Sequence, residues 1–346
     1  MKQKLSILFS IVFLSLILFS AKGFSQGMHF SQYYNSPLLL NPANAGLSSE
    51  SDYRFGAQHR TQWAALPAPF TTTAVYADFQ AFRAKNETNW LGLGFAFFND
   101  NVGDGKLNLF RSEMFLAYHI QIGSSNMISF GGAASYNSRS VNFSKFSYPV
   151  QWDGYTFDRT ASNQEGKGLE KSKFNSVSAG VNYALFPSDA IYIKAGFSTS
   201  NLNKPTETFF QGGDNQLMFR HTANVDLLLK TADNFILNPS GYYTTQSGAR
   251  EIVYGTLMNF NLAKEVEQVA NNQLIFGVFH RLGDAVIGVA GMQINTWKVM
   301  ASYDYTISTL PANAGKGTGA FEVSVRYESV YSEYSRSRRI YHCPRF

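Results

Sequence analysis

The chain has 346 residues and a formal net charge of +5 at neutral pH. Only 15% of its residues are charged and 15% are aromatic, whereas a soluble domain is about 25% charged. So weak a positive charge excludes a nucleic-acid-binding protein built on a basic patch. The single cysteine, Cys343, excludes an internal disulfide framework and a cysteine-rich metal site.

The N-terminus has the layout of a secretory signal peptide. Two lysines precede an apolar run from Leu5 to Ala21 that is interrupted only by serines. Cleavage after Ser25 defines a leader of residues 1–25, and cleavage after Gly23 is the alternative. An uncleaved anchor is disfavoured because the run is short for a membrane span of about 20 residues. The sequence therefore predicts export.

Beyond the leader, the pattern of apolar residues predicts a transmembrane β-barrel. No later stretch is continuously apolar over about 18 residues, which excludes helical membrane spans. Phe321, Val323 and Val325 instead alternate with polar residues, which is typical of a strand with one apolar face. Similar alternation recurs over residues 52–331. Because a lipid-embedded chain without helices must close its sheet to satisfy every backbone group, we predict an all-β outer-membrane barrel.

We expect about fourteen antiparallel strands, an even number as in single-chain bacterial barrels. Many segments are long enough to cross a membrane at a tilt, and they exceed the five or six residues, roughly, of an average soluble strand. The predicted strands lie near 52–60, 72–83, 90–99, 107–122, 126–139, 173–187, 189–201, 217–231, 234–245, 250–261, 271–282, 284–294, 296–307 and 319–331.

The connections between these strands predict which end of the barrel faces outward. Outer-membrane barrels keep short turns in the periplasm and long loops outside. The long connections, 140–172 and 201–216, fall on one side. The tight turns fall on the other side, at 123–126, 186–189, 231–234 and 294–296. One connection on the short side, 261–271, is longer and carries a mildly helical run from Lys264 to Val269.

A barrel of this width needs a plug, a ligand or water in its lumen. Residues 26–51 are polar and aromatic, and we expect them to plug or line the lumen, with a periplasmic leader as the alternative. Residues 332–346 follow the last strand as a C-terminal tail. Charged side chains on the polar faces are expected to point inward, where mutual ion pairing is their simplest role. These lumen candidates are Arg54, Glu113, Asp226, Lys298, Asp304, Glu322 and Arg326.

Motifs of common enzyme classes are missing from the sequence. No G-x-S-x-G elbow, H-E-x-x-H motif or Walker loop occurs. The six histidines form no i, i+4 pair that would suggest a metal site on a helix. We therefore expect neither an enzyme nor a cofactor or metal, although a site assembled from distant residues would leave no motif.

A distinctive string follows the leader and continues into the first predicted strand. Its residues are Phe30, Ser31, Gln32, Tyr33, Tyr34, Asn41, Pro42, Gly46, Arg60, Gln62 and Trp63. It closely resembles the N-terminal motif of the PorP/SprF family, outer-membrane proteins of Bacteroidetes associated with type IX secretion and gliding motility. Met28 and His29 depart from the usual Asp-Pro, and the ending Cys343-Pro344-Arg345-Phe346 looks like an SprF-type tail. We take all of these motif residues as partner-binding candidates.

The resemblance implies a barrel in the bacterial outer membrane that does no catalysis. It would dock or anchor a large secreted adhesin with a type-B C-terminal sorting domain, and it would work with other type IX secretion components and contact outer-membrane lipid. The alternative is a transporter or porin for a small or hydrophobic solute, because a wide and partly charged lumen would serve that purpose too.

Overall fold

The computed structural model describes the chain in the ranges 30–48, 51–64, 69–82, 88–103, 107–143, 146–158, 160–161, 170–209, 212–232, 234–262, 272–308 and 319–331. The predicted signal peptide, the C-terminal tail and the run from Lys264 to Val269 lie outside these residues. No helix within them is long and apolar enough to cross a membrane.

Fourteen antiparallel strands form a closed barrel, as predicted. Each strand pairs with its neighbours in the sequence, and the first strand pairs with the last, with Arg60 opposite Glu322. The strands are β1 (Tyr53–Gln62), β2 (Phe70–Ala81), β3 (Asn89–Val102), β4 (Leu107–Ile122), β5 (Asn126–Ser140), β6 (Lys171–Ser188), β7 (Ile191–Ser200), β8 (Arg220–Ala232), β9 (Phe235–Gln246), β10 (Ala249–Asn261), β11 (Gln273–Arg281), β12 (Ala285–Ile294), β13 (Trp297–Thr306) and β14 (Ala320–Ser329).

The alternation in sequence becomes an inside and an outside face. In β1, Arg54, Gln58 and Arg60 are buried in the lumen, whereas the side chain of Phe55 between them is 52% exposed on the outer wall. Successive side chains of a strand point to opposite faces of the sheet. One strand therefore supplies both an apolar surface for lipid and a polar surface for the lumen. The predicted face assignment is confirmed for this strand.

The connections divide between the two ends as the sequence predicted. The long connections 141–170 and 201–219 share one end, which we take as the extracellular end, and the tight turns 189–190 and 295–296 lie at the other. Exposed aromatic residues mark both ends of the outer wall, with Trp297 at the periplasmic end and Tyr305 at the extracellular end. Aromatic side chains at these levels match the girdles that anchor outer-membrane barrels at the two membrane interfaces.

The N-terminal segment occupies the lumen. Residues 30–48, which we call the plug, fold into a 3₁₀ turn (Tyr33–Asn35), the four-residue helix α1 (Pro37–Leu40) and a second 3₁₀ turn (Pro42–Asn44). Each proline is the first residue of its helical turn, where its fixed φ is favourable and no backbone donor is lost. The Asn41 side chain accepts a hydrogen bond from Ala43 N at 2.9 Å and caps the second turn. The plug is therefore compact and lies inside the barrel. This position contradicts the alternative, a leader in the periplasm.

Candidate functional site

At its extracellular end the plug is held by carboxylates of the barrel wall. Glu322 on β14 accepts hydrogen bonds from the backbone N–H groups of Ser31 at 2.8 Å and Gln32 at 2.9 Å. The Ser31 hydroxyl donates to Asp304 on β13 at 2.7 Å. All four residues are almost completely buried. Hydrogen bonds to an ionised acceptor are about twice as strong as neutral ones, so this contact is a specific anchor.

Two arginines complete this anchor. Arg60 contacts Asp304 at 2.9 Å and Glu322 at 3.4 Å, and Arg281 contacts Asp304 at 3.1 Å and Glu251 at 3.2 Å. The five side chains carry three negative and two positive charges in a site sheltered from water. Buried charges are tolerated only when their remaining lone pairs and protons are satisfied. The plug N–H groups supply donors that the two arginines alone do not, so the wall and the plug stabilise one another.

In the middle of the lumen, amide side chains join the plug to opposite walls. Gln58 on β1 donates to the carbonyl of Gln32 at 3.0 Å, and Asn35 donates to the Ser324 hydroxyl at 2.8 Å. Across the lumen, Asn41 donates to the carbonyl of Val181 on β6 at 3.0 Å. These bonds fix the plug from both sides.

Glycines in the wall allow the plug to come close. A Cβ added at Gly131 on β5 would lie 2.3 Å from Ala43 N, and one added at Gly180 on β6 would lie 2.1 Å from the Asn41 side-chain oxygen. Neither distance is possible for a real side chain. The glycines of these strands therefore form a shaped seat for the second turn of the plug.

The periplasmic end of the plug has its own anchor. Gly46 N donates to Asp78 at 2.7 Å, and the same carboxylate pairs with Arg54 at 2.6 Å. The Trp90 indole donates to the Gly46 carbonyl at 3.0 Å. Gly46 has a φ of +64° and lies against Gly92, so a side chain at position 46 would be strained and would clash. The structure therefore explains why the sequence motif has a glycine at position 46.

Two tyrosines of the motif fill the lumen beside β9 and β11. The Tyr33 hydroxyl lies 2.8 Å from the Ser240 hydroxyl, and its ring meets Tyr242 edge-on at 4.8 Å. Tyr34 stacks on Phe279 at 5.3 Å. Burial raises the pKa of Tyr33 and Tyr34 above the usual range, so both remain neutral phenols.

The plug separates two cavities in the lumen. The extracellular vestibule, of about 130 Å³, is lined by Phe30 and Leu39 of the plug and by Arg111, Arg139 and Arg220 of the wall. The periplasmic vestibule, of about 210 Å³, is lined by Tyr34 of the plug and by a different set of wall residues. The plug is therefore the floor of one vestibule and the roof of the other.

The structure places the sequence-predicted residues in three groups. The plug anchors contain Arg54, Arg60, Asp304 and Glu322, and the motif residues from Phe30 to Gly46 all belong to the plug. Glu113 lines the extracellular vestibule. Asp226, Lys298 and Arg326 line the periplasmic one. As predicted for the wall, ion pairs are present, with Lys194 and Asp226 at 3.3 Å as an example.

Two motif residues lie away from the plug. Gln62 ends β1, and Trp63 follows it in a turn with a φ of 57°, packing its ring on Phe70 at 4.8 Å. Their part in binding a partner stays a prediction. The sequence reasoning missed Arg281, Glu251, Asp78 and Trp90, although their inward parity is visible once the strand is known.

The extracellular loop 141–170 carries exposed aromatic side chains. Trp152 and Phe157 face each other in a short antiparallel bridge, and Tyr155 at its tip is 91% exposed. The Asp153 carboxylate closes the tip by accepting hydrogen bonds from the N–H groups of Thr156 and Tyr155 at 2.7 Å. These bonds hold the pKa of Asp153 below its usual value. We call residues 152–157 the aromatic hairpin.

Comparison with solved structures gives only the fold. A TodX deltaS2S3 mutant, a monoaromatic hydrocarbon channel, is 8% identical with a TM-score of 0.52, and the match covers 85% of this chain and 94% of that one. A Pseudomonas aeruginosa FadL homologue is 10% identical with a TM-score of 0.48, covering 85% and 94%. The translocator domain of the autotransporter NalP from Neisseria meningitidis is 10% identical with a TM-score of 0.43, covering 86% and 95%. No curated protein matches the sequence.

Comparison with protein families gives a more specific result than comparison with solved structures. The family described as type IX secretion system membrane protein PorP/SprF matches residues 23–327, which include the plug and nearly the whole barrel. A closed barrel with lipid-facing apolar walls fits the bacterial outer membrane. The chain therefore belongs to the PorP/SprF family of type IX secretion system membrane proteins.

Proposed function

We propose that this barrel docks or anchors a large secreted adhesin with a type-B C-terminal sorting domain, in type IX secretion or gliding motility, and that it catalyses no reaction. The proposal is carried by one observation: the plug is anchored to the barrel wall at both ends and lies in the lumen between an extracellular and a periplasmic vestibule. A lumen occupied in this way suits a receptor for a protein that has already reached the cell surface.

The strength of the plug anchors favours docking over conduction. Moving the plug aside would remove the donors of Ser31 and Gln32 from Glu322 and the donor of Gly46 from Asp78. Each hydrogen bond to a charged group that is lost costs about 1.5–3 kcal/mol. A channel for solutes would incur this cost each time it opened, whereas a docking platform never needs to open.

The aromatic hairpin supports the same function from outside the barrel. Exposed aromatic side chains are enriched among the residues that dominate protein–protein binding energy. Trp152 and Tyr155 sit at the extracellular end, where a surface adhesin would make contact. Association with other type IX secretion components follows from membership of the family.

The test is a deletion strain that is complemented with variants. We expect deletion to remove one large protein from the cell surface while other type IX cargo is still displayed, as measured by mass spectrometry of surface-shaved cells. Complementation with a Trp152→Ser and Tyr155→Ser double variant should restore the barrel but not the full amount of that protein. Phe82→Ser is the matched control, because Phe82 is 83% exposed at the opposite end of the barrel.

The outcomes separate the two functional classes. A deletion strain that displays every secreted protein normally but loses uptake of a nutrient would contradict docking and favour the transporter. If the double variant and Phe82→Ser display equal amounts of the large surface protein, the aromatic hairpin is not part of the docking surface.

A further inference from the structure

The extracellular vestibule combines an apolar floor with a cationic wall. The floor comes from the plug, through Phe30, Leu39 and Leu40, and is extended by Phe174 on β6. The cations come from β4, β5 and β8, which carry Arg111, Arg139 and Arg220. A site of this kind suits a ligand that is apolar at one point and negatively charged at another.

The charges do not cancel within the vestibule. Arg111 is 4.0 Å from Glu113, and Arg139 pairs with Glu207, which reaches in from the loop 201–219. Arg220 instead donates to the Thr244 hydroxyl at 3.2 Å, and within the described ranges it forms no ion pair. One positive charge is thus left over, in a recess where water screens it less than at the open surface.

The rest of the lining distinguishes a peptide from a lipid. Hydroxyl and amide groups of Ser178, Ser200, Asn201, Thr222 and Gln246 surround the apolar floor. They can exchange hydrogen bonds with peptide N–H and C=O groups, whereas the tail of a fatty acid offers nothing to bond. Buried polar groups that lose water without gaining a partner oppose binding.

We propose that the extracellular vestibule binds the C-terminal residue of a polypeptide, with an apolar side chain on the plug floor and its α-carboxylate at Arg220. The inference deepens the proposed docking function, because it names the part of a docked protein that this cavity fits. The cavity of about 130 Å³ has room for a terminal residue and not for a folded domain. Only the end of a chain enters it.

The test uses purified barrel in detergent and a fluorescent Ala-Ala-Leu peptide, measured by fluorescence anisotropy. We expect the peptide with a free carboxylate to bind at least about tenfold more tightly than its amide, since a charged hydrogen bond contributes about 1.5–3 kcal/mol and each 1.4 kcal/mol is tenfold. Arg220→Gln should weaken binding of the acid by at least about tenfold and leave the amide unchanged. Arg250→Gln is the control, because Arg250 is an exposed arginine on β10, two strands away from β8, and is not part of the vestibule lining.

A shift in gel mobility on heating establishes that each variant is a folded barrel before binding is compared. Equal binding of acid and amide, or equal effects of the two arginine variants, would overturn the proposal. Octanoate displacing the peptide at equal concentration would also overturn it and assign the site to fatty acids. Because the assay needs no cells, its failure is separate from the failure of adhesin docking, which the deletion strain measures.

Discussion

Glu322→Gln is the substitution that probes the plug most directly. The Glu322 carboxylate accepts from Ser31 N at 2.8 Å, Gln32 N at 2.9 Å and the Gln58 amide at 2.6 Å, and Arg60 lies 3.4 Å away. Glutamine has the same shape but only one accepting oxygen, so at least one buried donor loses its partner. An unsatisfied buried donor costs about 1–3 kcal/mol, and loss of the charge beside Arg60 adds to this cost.

We take about 3 kcal/mol as the total, which corresponds to roughly a hundredfold increase in the population with a displaced plug. The assay is labelling of a Ser36→Cys reporter by a membrane-impermeant maleimide, in a Cys343→Ser background. Ser36 is 1% exposed, so reagent reaches it only when the plug moves. The labelling rate should rise by about two orders of magnitude.

Glu328→Gln is the matched control for this experiment. Glu328 lies on the same strand, but its carboxylate pairs with Arg326 at 2.8 Å, outside the extracellular anchor. If Glu322→Gln and Glu328→Gln label at the same rate as the parent, the carboxylate network does not hold the plug and our reasoning about it is refuted.

Three further predictions concern the barrel itself. The mature protein should migrate faster on a gel when it is not boiled, because a closed strand ladder resists detergent, and unchanged mobility would contradict closure. Val225→Arg on the outer wall should cost about 2–4 kcal/mol near the membrane midplane and reduce assembled protein in membrane fractions, whereas Thr222→Arg, facing the extracellular vestibule from the same strand, should assemble; equal yields would mean that the faces are misassigned. Gly131→Ala should block seating of the plug, since the new Cβ would lie 2.3 Å from Ala43 N, and should increase maleimide labelling of the reporter. Gly288→Ala is its control because a Cβ there meets nothing within 4 Å, and identical labelling would argue against the seat.

The strands were predictable because lipid and lumen impose opposite chemistry on alternate residues. Thus β4 runs from Leu107 to Ile122 as predicted, and β2 (Phe70–Ala81) differs from the predicted 72–83 by two residues at each end. The prediction of which face borders the lumen is weakest where both faces of a strand are apolar. In β11, Val278 faces outward, but Ile275 and Phe279 face inward, where they pack with Tyr33. Because both faces of this strand carry apolar residues, the alternation that identifies the lumen face is missing from its sequence.

The contacts of the site were harder to predict than the strands. The motif identified Ser31 and Gln32, and parity placed Arg60 and Glu322 inside, but nothing in the sequence joined the two sets. Ser31 and Gln32 are about 290 residues from Glu322 along the chain. The register between β1 and β14 places Arg60 opposite Glu322, and this register could not be read from the sequence. Arg281 was missed because it follows Phe279 on a face that looked apolar.

The position of the two plug anchors has a consequence for the order of assembly. Gly46 contacts Asp78 on β2, only 32 residues later, whereas Ser31 contacts Glu322 on β14, 291 residues later. Contacts between nearby residues form faster than distant ones, because less chain entropy is lost in closing the shorter loop. The periplasmic anchor can form on the first hairpin, while the extracellular anchor must wait for the final strand. The N-terminal segment thus bridges the seam between β1 and β14, so its extracellular anchor is complete only when these two strands have paired.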